Sequence, residues 1–153
     1  MDYKELMAAF AESMGIDELP VVDGAASLDV DDMRVEVIHD ETADGVLLGG
    51  IIGEPPPDGQ GLFNSMLLQA NFLFQGTGGA TIGQNPETKE YALMRAFALK
   101  DLDVDAFSEA LGNFVNELER WRGLLAGFQP IGEQLEKTTE EEQALPFANF
   151  IQV

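Results

Sequence analysis

Residues 45–53 read GVLLGGIIG and residues 54–59 read EPPPDG. The first segment has no polar face to turn toward water, so it needs cover on both sides, as a strand in the middle of a sheet has. The second ends the run abruptly, because proline has no N–H to donate to a ladder. A chain holding this pair of segments must build a sheet around residues 45–53 and leave it by a loop.

The neighbouring segments supply that sheet. SLDVDD and MRVEVIHD alternate with period two, so that Met33, Val35 and Val37 face one way and Arg34 and Glu36 the other. With residues 45–53 they are predicted to form a three-stranded antiparallel meander. Two further strands follow, ATIGQ and EYALMRAFALK, joined by NPETK, where Asn-Pro favours a turn. In the last strand Tyr91, Leu93, Phe97 and Leu99 make a bulky face, and Ala92, Met94, Ala96 and Ala98 a shallow one.

Three segments have helical spacing instead. Residues 2–14 place Tyr3, Leu6, Met7, Phe10 and Met14 on one stripe, with Gly15 as the stop. Residues 104–126 begin behind Asp103, a good N-cap, and carry Phe107, Leu111, Phe114, Val115, Leu118, Trp121 and Leu125 on one face. The third, roughly 61–75, is apolar on two sides. Its main arc holds Leu62, Phe63, Met66, Leu67, Ala70, Leu73 and Phe74. Leu68 and Phe72 form a second ridge, four residues apart and edged by Asn64, Gln69 and Asn71. Burying such a side chain is worth about 1.5–3 kcal/mol, so a ridge of this kind asks for a partner, either the C-terminal tail or a second copy of the chain.

The resulting order is α-β-β-β-α-β-β-α, an α+β domain with helices packed on a twisted antiparallel sheet. At 153 residues the chain suits one domain, assigned here to residues 1–130, with 131–153 as a tail that is acidic through TTEEEQ and then apolar in ALPFANFIQV. The apolar end is expected to dock on the protein's own surface. It would cap the fold or cover an apolar surface of the sheet.

Composition narrows the functions. With 28 acidic and 8 basic side chains the formal net charge is −20, which repels nucleic acid and anionic membranes. There is no cysteine, hence no disulfide, thiolate nucleophile or cysteine-based zinc site. No signal-like start and no run of about 18 apolar residues is present, so a cytoplasmic protein without membrane insertion is expected.

The motifs of catalysis fail one by one. His39 is the single histidine. Beside Asp40 and Glu41 it sketches a metal site, yet one histidine at a strand end reads as a surface residue, and no GxSxG turn presents a serine to it. DLDVDA (101–106) resembles half a calcium loop but has Ala106 where glycine belongs and Gly112 in place of a bidentate glutamate. DVDDMR (29–34) fails the same test. GTGGATIG (76–83) leads into a strand and has no lysine, unlike a phosphate loop. No catalytic residue, metal site or cofactor is expected. A small enzyme is the least favoured reading; an acidic inhibitor or nucleic-acid mimic that occupies a basic protein site is an alternative that the charge alone suggests.

The stretch LLQANFLFQGTGGATIGQNPETKEYALMRAFALKDLDVDAFSEALGNFVNELERW resembles the Tir chaperone (CesT) family, the class I chaperones of type III secretion. The resemblance rests on Leu67, Leu68 and Asn71 in the apolar helix and on Ile82, Gly83, Pro86 and Thr88 in the strand and turn. Leu102 and Asp103 in the acidic connection and Phe114 and Trp121 in the last helix complete it. The glycine- and proline-rich connection GGIIGEPPPDGQG and the tail beyond Pro130 depart from the family pattern. The resemblance implies a homodimer built through the second helix and neighbouring strands, with Leu68, Phe72 and Ile82 in the interface. It also implies a partner, the extended N-terminal segment of a secretion effector, kept soluble and export-competent. By position Phe10, Met14, Val35, Val37, Leu47 and Ile51 would touch that peptide.

Overall fold

The computed structural model describes residues 1–130 of the chain. The expectations about the tail, from Ile131 onward, lie outside the described residues.

Helix α1 (Tyr3–Ser13) opens with a capping box: the Asp2 carboxylate accepts from the Glu5 N–H, and the Glu5 carboxylate accepts from the Asp2 N–H. The chain then runs through β1 (Val21–Val22), β2 (Ala25–Val30), β3 (Met33–Asp40) and β4 (Gly45–Gly53). Helix α2 (Gln60–Asn71) follows, then β5 (Thr81–Gln84), β6 (Tyr91–Ala98) and α3 (Val104–Ala126). The sheet order is β1-β2-β3-β4-β6-β5, antiparallel throughout. The meander and the central position of residues 45–53 are as the periodicity requires. The addition is β1, two residues that no alternation can reveal, held on β2 by a tight turn in which Asp23 and Gly24 both take positive φ.

All three helices pack on one face. Tyr3 of α1 donates its hydroxyl to the Val37 carbonyl at 2.6 Å. Phe63 of α2 meets Tyr91 of β6 at 5.5 Å between ring centroids. In α3, Leu118 lies so close to Gly50 that a Cβ on the glycine would sit 2.5 Å from it. Phe10 and Phe107 join α1 to α3 edge-to-face at 5.0 Å. Beneath the helices Val35, Val37, Leu48 and Leu93 are wholly buried, as is Leu118 of α3. The opposite face of the sheet carries Ile38, Leu47, Gly49, Ile51, Met94 and Ala96, half-buried or exposed.

One element differs from its sequence reading. The second helix does not reach residue 75; it ends at Asn71, and Leu73 and Phe74 follow with φ of 54° and 57°. The cause is tertiary. The Asn71 amide is held by strand β5, its Nδ2 donating to the Ile82 carbonyl and its Oδ1 accepting the Ile82 N–H, each at 2.9 Å. Gly76 then folds back to donate to the Ala70 carbonyl, approaching so closely that a Cβ would lie 2.8 Å from Ala70. Leu73 and Phe74, assigned by helical stepping to the core arc, are therefore turned out to the surface.

Candidate functional site

The two edges of the sheet are finished differently. At β5 the outward N–H and C=O of Ile82 are taken by Asn71, which blunts that edge against further pairing. At the other end β1 covers only Ala25 and Ala26 of β2. Residues 27–30 continue to pair with β3 on one side and, among the described residues, meet no strand on the other. Hydrogen-bonded and non-bonded pairs alternate along an antiparallel ladder. Since Ala25 closes the turn against Val22, the groups directed away from β3 are the N–H and C=O of Ser27 and Asp29. Among the described residues a four-residue stretch of edge is thus open.

Directly beneath this edge is a groove of about 540 Å3, between the end of α1, strand β2 and the first half of α3. Leu28, Leu111 and Val115 form its floor, with Met14 (62% exposed) and Ile16 (42% exposed) at the rim. Asp29 and Asp31 add acidic rim positions. Gly15 takes φ of 70° after α1, which turns Ile16 back toward the groove end of the helix. Side chains of an added strand point alternately to the two faces of the sheet; every second one would enter this groove.

A larger hollow of about 760 Å3 lies at the other end of α1, around Tyr3 and His39, whose rings stack at 4.8 Å. Its rim is charged, with Asp2, Lys4, Asp17, Glu18 and Glu41. It is less suited to an apolar segment than the groove.

The six residues expected to touch a peptide fall in three places. Phe10 and Met14 line the groove. Val35 and Val37 are wholly buried under the helices. Leu47 and Ile51 belong to the opposite face of the sheet, half-buried and 51% exposed respectively. Ile16, Leu28, Leu111 and Val115 were not singled out for binding in the sequence; the signal available was Ile16, an apolar residue stranded beyond a helix-ending glycine. On α2, Leu68 is 72% exposed, and Phe72, Leu73 and Phe74 are exposed beside it. Ile82, grouped with them by resemblance, is buried, its backbone held by Asn71. Among the described residues no group of three or more histidine, aspartate and glutamate side chains could hold a metal ion, and no helix is long and apolar enough to cross a membrane.

An open strand edge above an apolar groove, on a sheet backed by three helices, marks this described domain as a small α+β fold. The pattern of the Tir chaperone protein (CesT) family matches residues 5–122, and the chain belongs to that family. Among solved structures it is similar to a chain of the ExsC–ExsE complex, with 24% identity and a TM-score of 0.70 over 82% of this chain and 97% of that one. A chain of the HopA1–SchA chaperone–effector complex gives 19% and 0.69 over 79% and 93%. A chain of the heterodimeric ExoU–SpcU complex from the type III secretion system of Pseudomonas aeruginosa gives 20% and 0.62 over 78% and 97%. At these identities the likeness concerns the fold. No curated protein matches the sequence.

Proposed function

We propose that this protein is a type III secretion chaperone that binds the extended N-terminal segment of an effector and keeps it soluble and export-competent. The observation that carries the reading is the edge of β2 at Ser27 and Asp29, unpaired among the described residues, directly above the groove of Leu28, Leu111, Val115, Met14 and Ile16. Backbone groups of the segment add to the sheet, and alternate apolar side chains enter the groove. Family membership and the likeness to chains of chaperone–effector complexes support it.

Magnitudes indicate how much surface is needed. Seating three apolar side chains contributes about 4.5–9 kcal/mol, whereas ordering a disordered segment costs about 2–5 kcal/mol or more, besides the loss of free motion. One groove is marginal. Two copies of the chain, paired through the Leu68 and Phe72 ridge of α2 with Ile82 supporting it from β5, offer two grooves to one longer segment. The working unit is residues 1–130, it acts in the cytoplasm, and it does so without catalysis or cofactor.

The test is affinity purification from the native cell while its export system is expressed, followed by binding of the recovered effector's N-terminal segment to Met14→Glu and Ile16→Glu. Both side chains are exposed, so the fold survives, and affinity should drop at least tenfold. Unchanged affinity would reject the groove. Binding that collapses as salt rises would point instead to the acidic surface acting on a basic site.

A further inference from the structure

We propose that the hollow beside Tyr3 and His39, at the start of α1, takes an arginine side chain of the same client segment whose apolar residues enter the groove. The inference rests on the peptide-binding reading of that groove and adds a second anchor of different chemistry.

Three parts of the chain assemble the hollow. Helix α1 brings Tyr3 and Met7, the connection to β1 brings Asp17 and Glu18, and the end of β3 brings His39, with Glu41 just beyond it. The rings of Tyr3 and His39 lie parallel, 4.8 Å apart between centroids and 4° apart in plane. Tyr3 is buried and its hydroxyl is bound to the Val37 carbonyl, so it forms a fixed base. His39 is half-buried and is the outer ring of the pair. A flat cation can stack on a ring held in this way.

Charge selects the occupant. The rim carries the carboxylates of Asp2, Asp17, Glu18 and Glu41 against the one ammonium of Lys4. Asp2 is engaged in capping α1. Among the described residues the ion pairs are Arg34–Asp29 and Arg120–Glu117, so Asp17, Glu18 and Glu41 hold no resident cation. Elsewhere in the fold arginines do lie over rings, Arg95 over Phe97 at 4.9 Å and Arg120 over Trp121 at 5.2 Å. The Tyr3–His39 pair has the rings and the carboxylates without the arginine. A guanidinium suits the place better than an ammonium, because it is planar, stacks on a ring and gives paired hydrogen bonds to a carboxylate.

Spacing ties the hollow to the groove. Both lie along α1, the hollow at Tyr3 and the groove at Met14, about 16 Å apart along the helix axis. An extended chain covers that distance in about five residues. Between the two sites β1 occupies the edge of β2 at Ala25 and Ala26. The segment therefore leaves the edge there and passes over β1, where Val21 and Val22 are exposed. The client is expected to carry an arginine about five positions from the residues seated in the groove. Ring stacking and an exposed ion pair each add a factor of a few to affinity, together about tenfold.

His39 is the single histidine, so its imidazole signals in a proton NMR spectrum are assigned without ambiguity. N-acetyl-arginine amide titrated into the full chain, at constant pH and ionic strength, should move those signals along a saturable curve. N-acetyl-citrulline amide, its uncharged analogue, should not. A full chain carrying Asp17→Asn, Glu18→Gln and Glu41→Gln, all exposed positions, should keep its circular dichroism and bind the arginine derivative at least fivefold more weakly. No saturable movement, equal movement with citrulline, or a curve unaltered by the three substitutions overturns the proposal. The derivative has no segment to add to β2, so such a failure leaves the groove reading standing. Conversely, Met14→Glu and Ile16→Glu, which test the groove, should leave this titration unchanged. In the recovered effector segment, replacing the arginine at that spacing by citrulline should lower affinity about tenfold. A segment with no arginine there, or one that binds equally well after the replacement, overturns the assignment to the client.

Discussion

Gly49 and Gly50 are neighbours in β4 with different environments. Gly50 faces the helices, and a Cβ there would meet Leu118 at 2.5 Å and 3.2 Å, on a side chain with no free surface. Gly49 faces the other way, where a Cβ meets nothing within 4 Å. Gly50→Ala should therefore cost about 1–3 kcal/mol through overpacking, and Gly49→Ala should be neutral or stabilising by less than about 1 kcal/mol. Urea unfolding of the two variants separates them; equal losses would mean that α3 does not press on β4 as described. The tyrosines act at the same scale. Burial pushes the phenols of Tyr3 and Tyr91 above their usual value near 10. Above about pH 10 the unfolded chain loses these protons while the fold retains them, so stability declines as pH rises through that range. Alkaline unfolding followed with ultraviolet difference titration should show the phenols ionising late, together with loss of the fold. Free ionisation near pH 10 with the fold intact would contradict their burial. The sequence marked Tyr3 and Tyr91 as apolar-stripe residues, but it did not reveal that Tyr3 ties α1 to β3 through the Val37 carbonyl.

The joint between α2 and β5 shows where a single element stops being self-explanatory. Helical spacing carries on past Asn71 without a break, and Leu73 and Phe74 step onto the same arc as Phe63 and Leu67. The helix ends because the Asn71 amide bridges the N–H and C=O of Ile82, eleven residues on. Asn71→Ala removes both bonds and leaves that strand edge unpaired, a loss of about 1–3 kcal/mol measurable as a lower urea midpoint. Unchanged stability would show that water replaces the amide without cost. Elements whose cause is local were legible. β4 occupies residues 45–53, where unbroken apolarity and the prolines bound it, and α3 occupies 104–126 between Asp103, whose carboxylate accepts the Ala106 N–H, and Gly127. β1 was not legible, because two residues carry no period.

At the scale of the molecule, apolar surface outside the core falls in several places, among them the groove rim at Met14 and Ile16, the ridge from Leu68 to Phe74 at the end of α2, strand β1 at Val21 and Val22, and the open face of the sheet at Ile38 and Ile51. If the ridge joins two copies, Leu68→Glu should convert dimer to monomer in sedimentation while leaving circular dichroism unchanged, since Leu68 lies outside the monomer's core. An unaltered sedimentation coefficient would remove the α2 interface. By itself the sequence determined the α+β order, the central strand, the acidic character and the family pattern, because each depends on residues near one another along the chain. It did not determine which apolar residues face a ligand. Phe10, Val35 and Leu47 are all apolar positions in periodic segments, yet one lines a groove, one is sealed beneath helices and one faces outward. Only the tertiary structure decided that, because the edge of β2 and the groove below it are made by α1, β2 and α3 together, segments far apart along the chain whose meeting no local period records.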